Sequence, residues 1–154
     1  MKTRAIFLSF LAVVLFYGCA QDQSKLLINN FVYELVVSGK INNIEEFHGL
    51  GEEVRSKPNY LAFLEKYFIY MRKELVDDCN MDYEVLSYDE AKNSSLSTFH
   101  QYVKNYSKFK QVYFIICSGE IALPIIIENN RIISFQSNIL KKSGGDYSPF
   151  LLNK

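Results

Sequence analysis

The first nineteen residues constrain this chain more than any other stretch, because they set how much of it is left to fold. Lys2 and Arg4 open a short basic segment, and an uncharged apolar run, Ala5 to Tyr17, follows it. A spanning helix needs about 20 apolar residues, so this run is short for that purpose and suits the h-region of an export signal. Removing Met1–Gly18 from the 154 residues leaves 136, enough for one domain with a real core and too few for two ordinary ones. The leader takes two of the 17 basic residues and none of the 17 acidic ones, so the remainder carries 15 against 17, a net charge of about −2. No run of Lys or Arg marks a nucleic-acid footprint or an anionic-lipid patch.

The apolar run ends in Phe16-Tyr17-Gly18-Cys19. This resembles the lipobox of bacterial lipoproteins, with Gly18 and Cys19 matching well and Phe16 and Tyr17 bulkier than usual. The resemblance implies that Met1–Gly18 is a signal peptide that is removed, and that Cys19 carries acyl chains (palmitate among them). One chain binds a membrane only marginally, whereas two or more hold it stably. The polar residues Gln21–Lys25 then read as a tether, giving boundaries of 1–18 for the leader, 19–25 for the lipidated tether and 26–154 for one folded domain. The alternative is a plain secretory signal, or an uncleaved anchor, with an incidental cysteine.

Leu27, Ile28, Phe31, Val32 and Leu35 recur at helical spacing, and Gly39 sits where a left-handed residue ends a helix, so a helix is expected over about 24–38. Asn42 and Glu45 have the spacing of a helix start, with Ile44 and Phe47 facing inward and Gly49 and Gly51 as the stop. Pro58 suits the first turn of the next helix. Its stripe runs through Leu61, Leu64, Phe68, Met71 and Leu75 to Val76, widened by Tyr60 and Tyr67. From Met81 the period becomes two, with Met81, Tyr83 and Val85 on one side and Asp82, Glu84 and Leu86 on the other, predicting a strand with one wet face for most of its length. Leu96, Phe99, Tyr102, Val103 and Tyr106 return to helical spacing behind Ser94-Ser95. Strands are expected at 111–117, 121–127 and 131–139, joined by tight turns at Ser118-Gly119 and Asn129-Asn130. Pro124 cannot donate to a ladder and calls for an edge or a bulge. After Gly144-Gly145, the segment Pro149-Phe150-Leu151-Leu152 either docks or frays.

This order predicts an α+β domain, with N-terminal helices packed on one face of a curved, mainly antiparallel four-stranded sheet. The opening helix with its Leu35–Gly39 end and the terminal turn within Ile125–Phe135 resemble the NTF2-like or cystatin-like α+β group. That resemblance implies a cone of sheet and helix around a concave pocket, and carries no functional residue onto this chain.

With Cys19 acylated, Cys79 and Cys117 remain, either as a disulfide pinning helix to sheet or as two free thiols. Asp78, Asn80, Asp82, Glu84 and Asp89 resemble the alternating oxygen ligands of an EF-hand loop, but Tyr83 stands where glycine is needed and strand alternation explains the same residues. His48 and His100 belong to no metal-ligand spacing, and no nucleophile elbow, phosphate loop or dinucleotide fingerprint is present. No catalytic residue, metal or cofactor is therefore assigned.

The expected function is a non-enzymatic binding or interaction module, anchored in the bacterial cell envelope through acylated Cys19 and facing another envelope protein or a small ligand. Ala20 favours outer-membrane delivery under the enterobacterial sorting pattern. Two alternatives stand beside it: a pocketed NTF2-like enzyme of isomerase or hydrolase type, and an immunity-type or assembly lipoprotein with one protein partner. Cys19→Ser should abolish lipid labelling and membrane retention; a variant that still fractionates with membranes would show that the anchor is something else.

Overall fold

A computed structural model describes residues 23–49, 51–52, 56–135, 147–149 and 151. The leader, Cys19 and the expected strand residues 136–139 lie outside these.

In the first helix, α1 (residues 23–37 of those described), Gln23, Ser24 and Lys25 are already helical, so the residues read as the end of the tether belong to the folded body. Its last six residues, Val32–Val37, are π-helical, and Gly39 just beyond is left-handed at φ 66°, as a helix stop requires. Ile28, Phe31, Val32 and Leu35 form its buried stripe. A 3₁₀ turn at Ile41–Asn43 leads into the single-turn helix α2 (Ile44–Phe47), whose side-chain cap does not form. The long helix α3 runs over Tyr60–Arg72 and continues as a π-helical segment through Asp78. Asn59 is its N-cap, in a left-handed conformation, so Pro58 precedes the helix instead of lying in its first turn.

Four strands follow: β1 (Tyr83–Ser87), β2 (Val112–Cys117), β3 (Glu120–Glu128) and β4 (Arg131–Ser134). They pair antiparallel in the order β1-β2-β3-β4. Both turns expected from sequence place two residues at positive φ, Ser118 and Gly119 in one, Asn129 and Asn130 in the other. Such pairs twist with the strands they join, which is why tight hairpins use them.

Pro124 lies in β3, which has neighbours on both sides, yet the chain meets the demand the proline makes. Among the described residues β4 runs to Ser134, opposite Ile126, and Pro124 pairs only with Phe114 of β2. The β2 register shifts between Ile115 and Ile116, leaving a bulge around Ala122. Pro124 thus lies two residues from a bulge.

Two apolar layers sandwich the sheet. Tyr113, Ile115, Leu123, Ile125, Ile127 and Ile132 point toward α1, α2 and α3. Val112, Phe114, Ile116, Ile126 and Ile133 point the other way, into a second core. That second core is closed by α4 (Tyr88–Asn93) and α5 (His100–Tyr106) through Ala91, Phe99, Tyr102 and Tyr106. The architecture is α+β, with the N-terminal helices on one face as expected and a second helical layer on the other. Leu86, read as part of the wet side of the first strand, packs into this second core, while Glu84 is exposed. Tyr147 lies edge-on to Tyr102 at 4.9 Å and Leu151 is partly buried beside it, so this part of the C-terminal segment docks.

Helix α4 sits where the sequence suggested none. Ser87 accepts a hydrogen bond from the Glu90 amide, and the Glu90 carboxylate accepts one from the Ser87 amide, closing a capping box.

Cys79, just after α3, and Cys117, at the end of β2, are joined in a disulfide with Cα atoms 5.7 Å apart. The bond ties the end of the long helix to a central strand across 38 residues of chain. In the chain-entropy picture such a loop contributes about 4 kcal/mol. Non-reducing peptide mapping should recover a peptide pair linked through Cys79 and Cys117. The double variant Cys79→Ser/Cys117→Ser should lose up to about 4 kcal/mol in urea unfolding; two free thiols in native protein would exclude the bond.

Candidate functional site

Helix α3 buries Leu64, Phe68, Met71 and Leu75 at the spacing of a single inward face. Leu61, counted from sequence as part of that stripe, is instead 39 % exposed. Phe63, Ile69 and Tyr70 are also exposed, by 47, 65 and 51 %. Intervals of four and three residues put Phe63, Tyr67 and Tyr70 on one flank of the helix. Leu61 and Ile69 lie on the other flank, where Ile69 borders a 90 Å³ cleft shared with Leu35, Val36 and Ile41. Lys66 and Lys73 run between the flanks, both exposed.

The Phe63 flank is anchored from below. Tyr67 packs on Phe135 with ring centroids 5.3 Å apart and on Tyr70 at 6.4 Å. Tyr70 is pushed up to about 12 chiefly by its hydrogen bond to Glu74, so its hydroxyl stays protonated. The result is an aromatic ridge open to solvent at Phe63 and Tyr70.

Under the ridge lies His48. Phe31, Phe68 and Phe135 surround its ring, with centroids 5.3, 6.5 and 4.9 Å away. Residues 48–49 run as a short parallel extension beside β4: His48 bridges to Ile132, and the Gly49 amide donates to the Ile132 carbonyl at 3.3 Å. His48 Nδ1 stands 3.0 Å from the same carbonyl. A carbonyl only accepts, so Nδ1 carries the proton of the neutral ring and Nε2 is a bare acceptor. Nε2 has no hydrogen-bond partner among the described residues, and neither has the buried Tyr67 hydroxyl. Burial lowers the His48 pKa to about 4, partly opposed by the Ile132 bond and reinforced by Arg131. Burial likewise raises that of Tyr67. Both groups are therefore neutral at ordinary pH, and neither borders any of the clefts described in this molecule.

The other residues singled out from sequence do not converge. His100 is exposed, with Nδ1 2.8 Å from the Ser97 carbonyl. The disulfide occupies Cys79 and Cys117 and leaves no thiol there to pair with a histidine. Asp78 ends the π-helical segment, Asn80 and Met81 are both left-handed in the turn after it, and Asp82 leads into β1 with Glu84, so these residues belong to a helix end, a turn and a strand, not to a loop closing on an ion. Among the described residues, no three His, Cys, Asp or Glu side chains gather closely enough to hold a metal. Comparison with protein-family models, with curated proteins and with solved structures finds no match.

The exposed ridge was hidden in the sequence because its residues recur at the same spacing as core residues. Only the orientation of α3 on the sheet separates Phe63 and Tyr70 from Leu64 and Phe68.

His48 makes stability depend on acid. An unfolded histidine titrates near 6.5, while the buried one titrates at about 4. The contribution is fully present above pH 6.5 and is lost as pH falls toward 4, by about 3 kcal/mol in total. Urea unfolding of wild type and His48→Gln across pH 7 to 4 should show wild type losing ground over that window; a constant difference would mean that His48 is not held neutral.

Proposed function

We propose that the chain is a lipoprotein of the bacterial cell envelope, held on a membrane by acylated Cys19, whose α+β body is a non-enzymatic module that binds another envelope or secreted protein. The observation that carries the binding role is the exposed apolar surface of α3, Phe63 and Tyr70 with Ile69 and Leu61. Large aromatic side chains that are fixed in place and only partly covered are the residues from which protein interfaces draw most of their energy. The Tyr67–Phe135 packing beneath the ridge lowers the entropy that binding would cost. The exported setting is supported by the Cys79–Cys117 disulfide, since such bonds persist in oxidising compartments and leave Cys19 as the remaining cysteine.

A protein partner suits the surface better than a small ligand does. Both faces of the sheet are filled by side chains, so a ligand held against it would have to displace core residues. The pocketed-enzyme reading draws its support from His48 Nε2 and the Tyr67 hydroxyl, two buried polar atoms on either side of Phe135. A neutral histidine acceptor and a tyrosine donor are usable acid–base groups. Each is closed off from solvent, however, so a substrate would need the aromatic box to open.

A photo-crosslinking amino acid placed at Phe63 or Tyr70 in living cells should give one discrete adduct. The same residue placed at Lys66, between the flanks, should give far less, and Phe63→Ser/Tyr70→Ser should remove competition for the adduct without lowering stability by more than about 1 kcal/mol. Equal labelling at all three positions would end the binding-ridge reading.

A further inference from the structure

From Ala91 to Gly119 the chain contains no Asp or Glu but four lysines, at 92, 104, 108 and 110. They form no run in sequence, yet the fold gathers three of them. Lys104 is on the last turn of α5, and Lys108 and Lys110 lie on the link into β2; all three are exposed. Phe109 sits half-buried between the last two, and the Lys108 ammonium lies over its ring at 5.3 Å. Lys108, Phe109, Lys110 and Gln111 form one wall of a cleft of about 870 Å³, with Asn129 and Glu128 of the β3–β4 turn opposite.

The same turn also borders the start of α1. Asn130 lines a second cleft with Gln23, Ser24, Leu26 and Asn30, and Leu26 is 60 % exposed. On the sheet's other side of this end, Lys25 reaches Glu90 of α4 at 2.9 Å. The helix start and the lysine link therefore occupy one end of the sheet, on either side of Asn129-Asn130. The opposite end carries the Ser118-Gly119 turn, with Asp82 and Glu84 beside it and Glu120 just after it.

If Cys19 is the anchor, as proposed above, only three residues, Ala20, Gln21 and Asp22, separate it from Gln23. Fully extended, the four Cα–Cα steps from Cys19 to Gln23 span at most about 14 Å. The end of the sheet bearing Gln23 is thus confined to the bilayer surface, whatever path those residues take. We infer that this end rests on the membrane, and that Lys104, Lys108 and Lys110, with Phe109 between them, contact anionic phospholipid headgroups. Each lysine near an anionic surface strengthens the contact about five-fold, and the attraction fades within a Debye length. Asp82, Glu84 and Glu120 lie at the far end, a strand's length away and beyond a Debye length, so they do not oppose this orientation.

The test uses the full lipidated chain, reconstituted into vesicles of phosphatidylcholine alone or of phosphatidylcholine mixed with phosphatidylglycerol. A membrane-impermeant amine reagent is added and labelling is followed by mass spectrometry, with Lys66 and Lys73 of α3 as references. On anionic vesicles Lys104, Lys108 and Lys110 should label at least about five-fold more slowly than in detergent micelles, with Lys66 and Lys73 unchanged. In Lys108→Glu/Lys110→Glu, Lys104 should return to its micelle rate while the protein still sediments with the vesicles. Protein that sediments but labels at Lys108 and Lys110 as fast as at Lys66 overturns the contact surface and leaves the anchor standing. Protein that does not sediment overturns the anchor reading and this inference with it.

Discussion

Everything in this fold depends on β2 and β3 being buried on both faces. Val112–Ile116 and Leu123–Ile127 send alternate side chains into two separate cores, so neither strand can keep water off by itself. One core needs α1, α2 and α3 above the sheet; the other needs α4, α5, Tyr147 and Leu151 below it. Removing either layer would leave a row of isoleucine and aromatic surface in water, at about 25 cal/mol for each Å² uncovered. The helices are therefore consequences of the sheet as much as of their own periodicity.

That demand explains the compromises elsewhere. α3 must lie across the sheet, so it turns Leu64, Phe68, Met71 and Leu75 inward, and apolar residues at the intervening positions are left outside. Its π-helical end carries it to Cys79, where the disulfide fastens it to Cys117 on β2. β4 is short, and residues 48–49 extend the sheet beside it through the Ile132 carbonyl, at the cost of enclosing a histidine among three phenylalanine rings. His48 pairs one nitrogen and buries the other, which is tolerable only while the ring is neutral.

Much of this was legible along the chain. The helix ending at Gly39, the two left-handed hairpin turns and the apolar runs of β2 and β3 are all local signals. Helix α4 was legible too, through Ser87 and Glu90 at capping-box spacing, but the alternation from Met81 drew the reading into a strand and past it. Leu86 misled for a related reason: its period placed it on the side of Asp82 and Glu84, and only the presence of α4 beside that side makes it core. Tyr67 does widen the buried stripe of α3, as expected, but Leu61 was assigned to it too, since a stripe's width cannot be judged without knowing what it lies against. Pro124 was read correctly as needing an edge or a bulge, although the sequence could not say that the bulge would come at Ala122 within an interior strand.

By itself, then, the sequence determined the local elements: where helices end, where hairpins turn, and where the apolar runs that become strands lie. These follow from backbone sterics and from side-chain periods of two and 3.6, which act over a few neighbouring residues. Only the tertiary structure decided that the second face of the sheet is covered. It also decided that Phe63 and Tyr70 stand outside, that Cys79 and Cys117 come within bonding distance, and that Lys104, Lys108 and Lys110 share one end with the start of α1. Each of these is a relation between residues far apart in the chain, set by how two apolar layers close on one sheet.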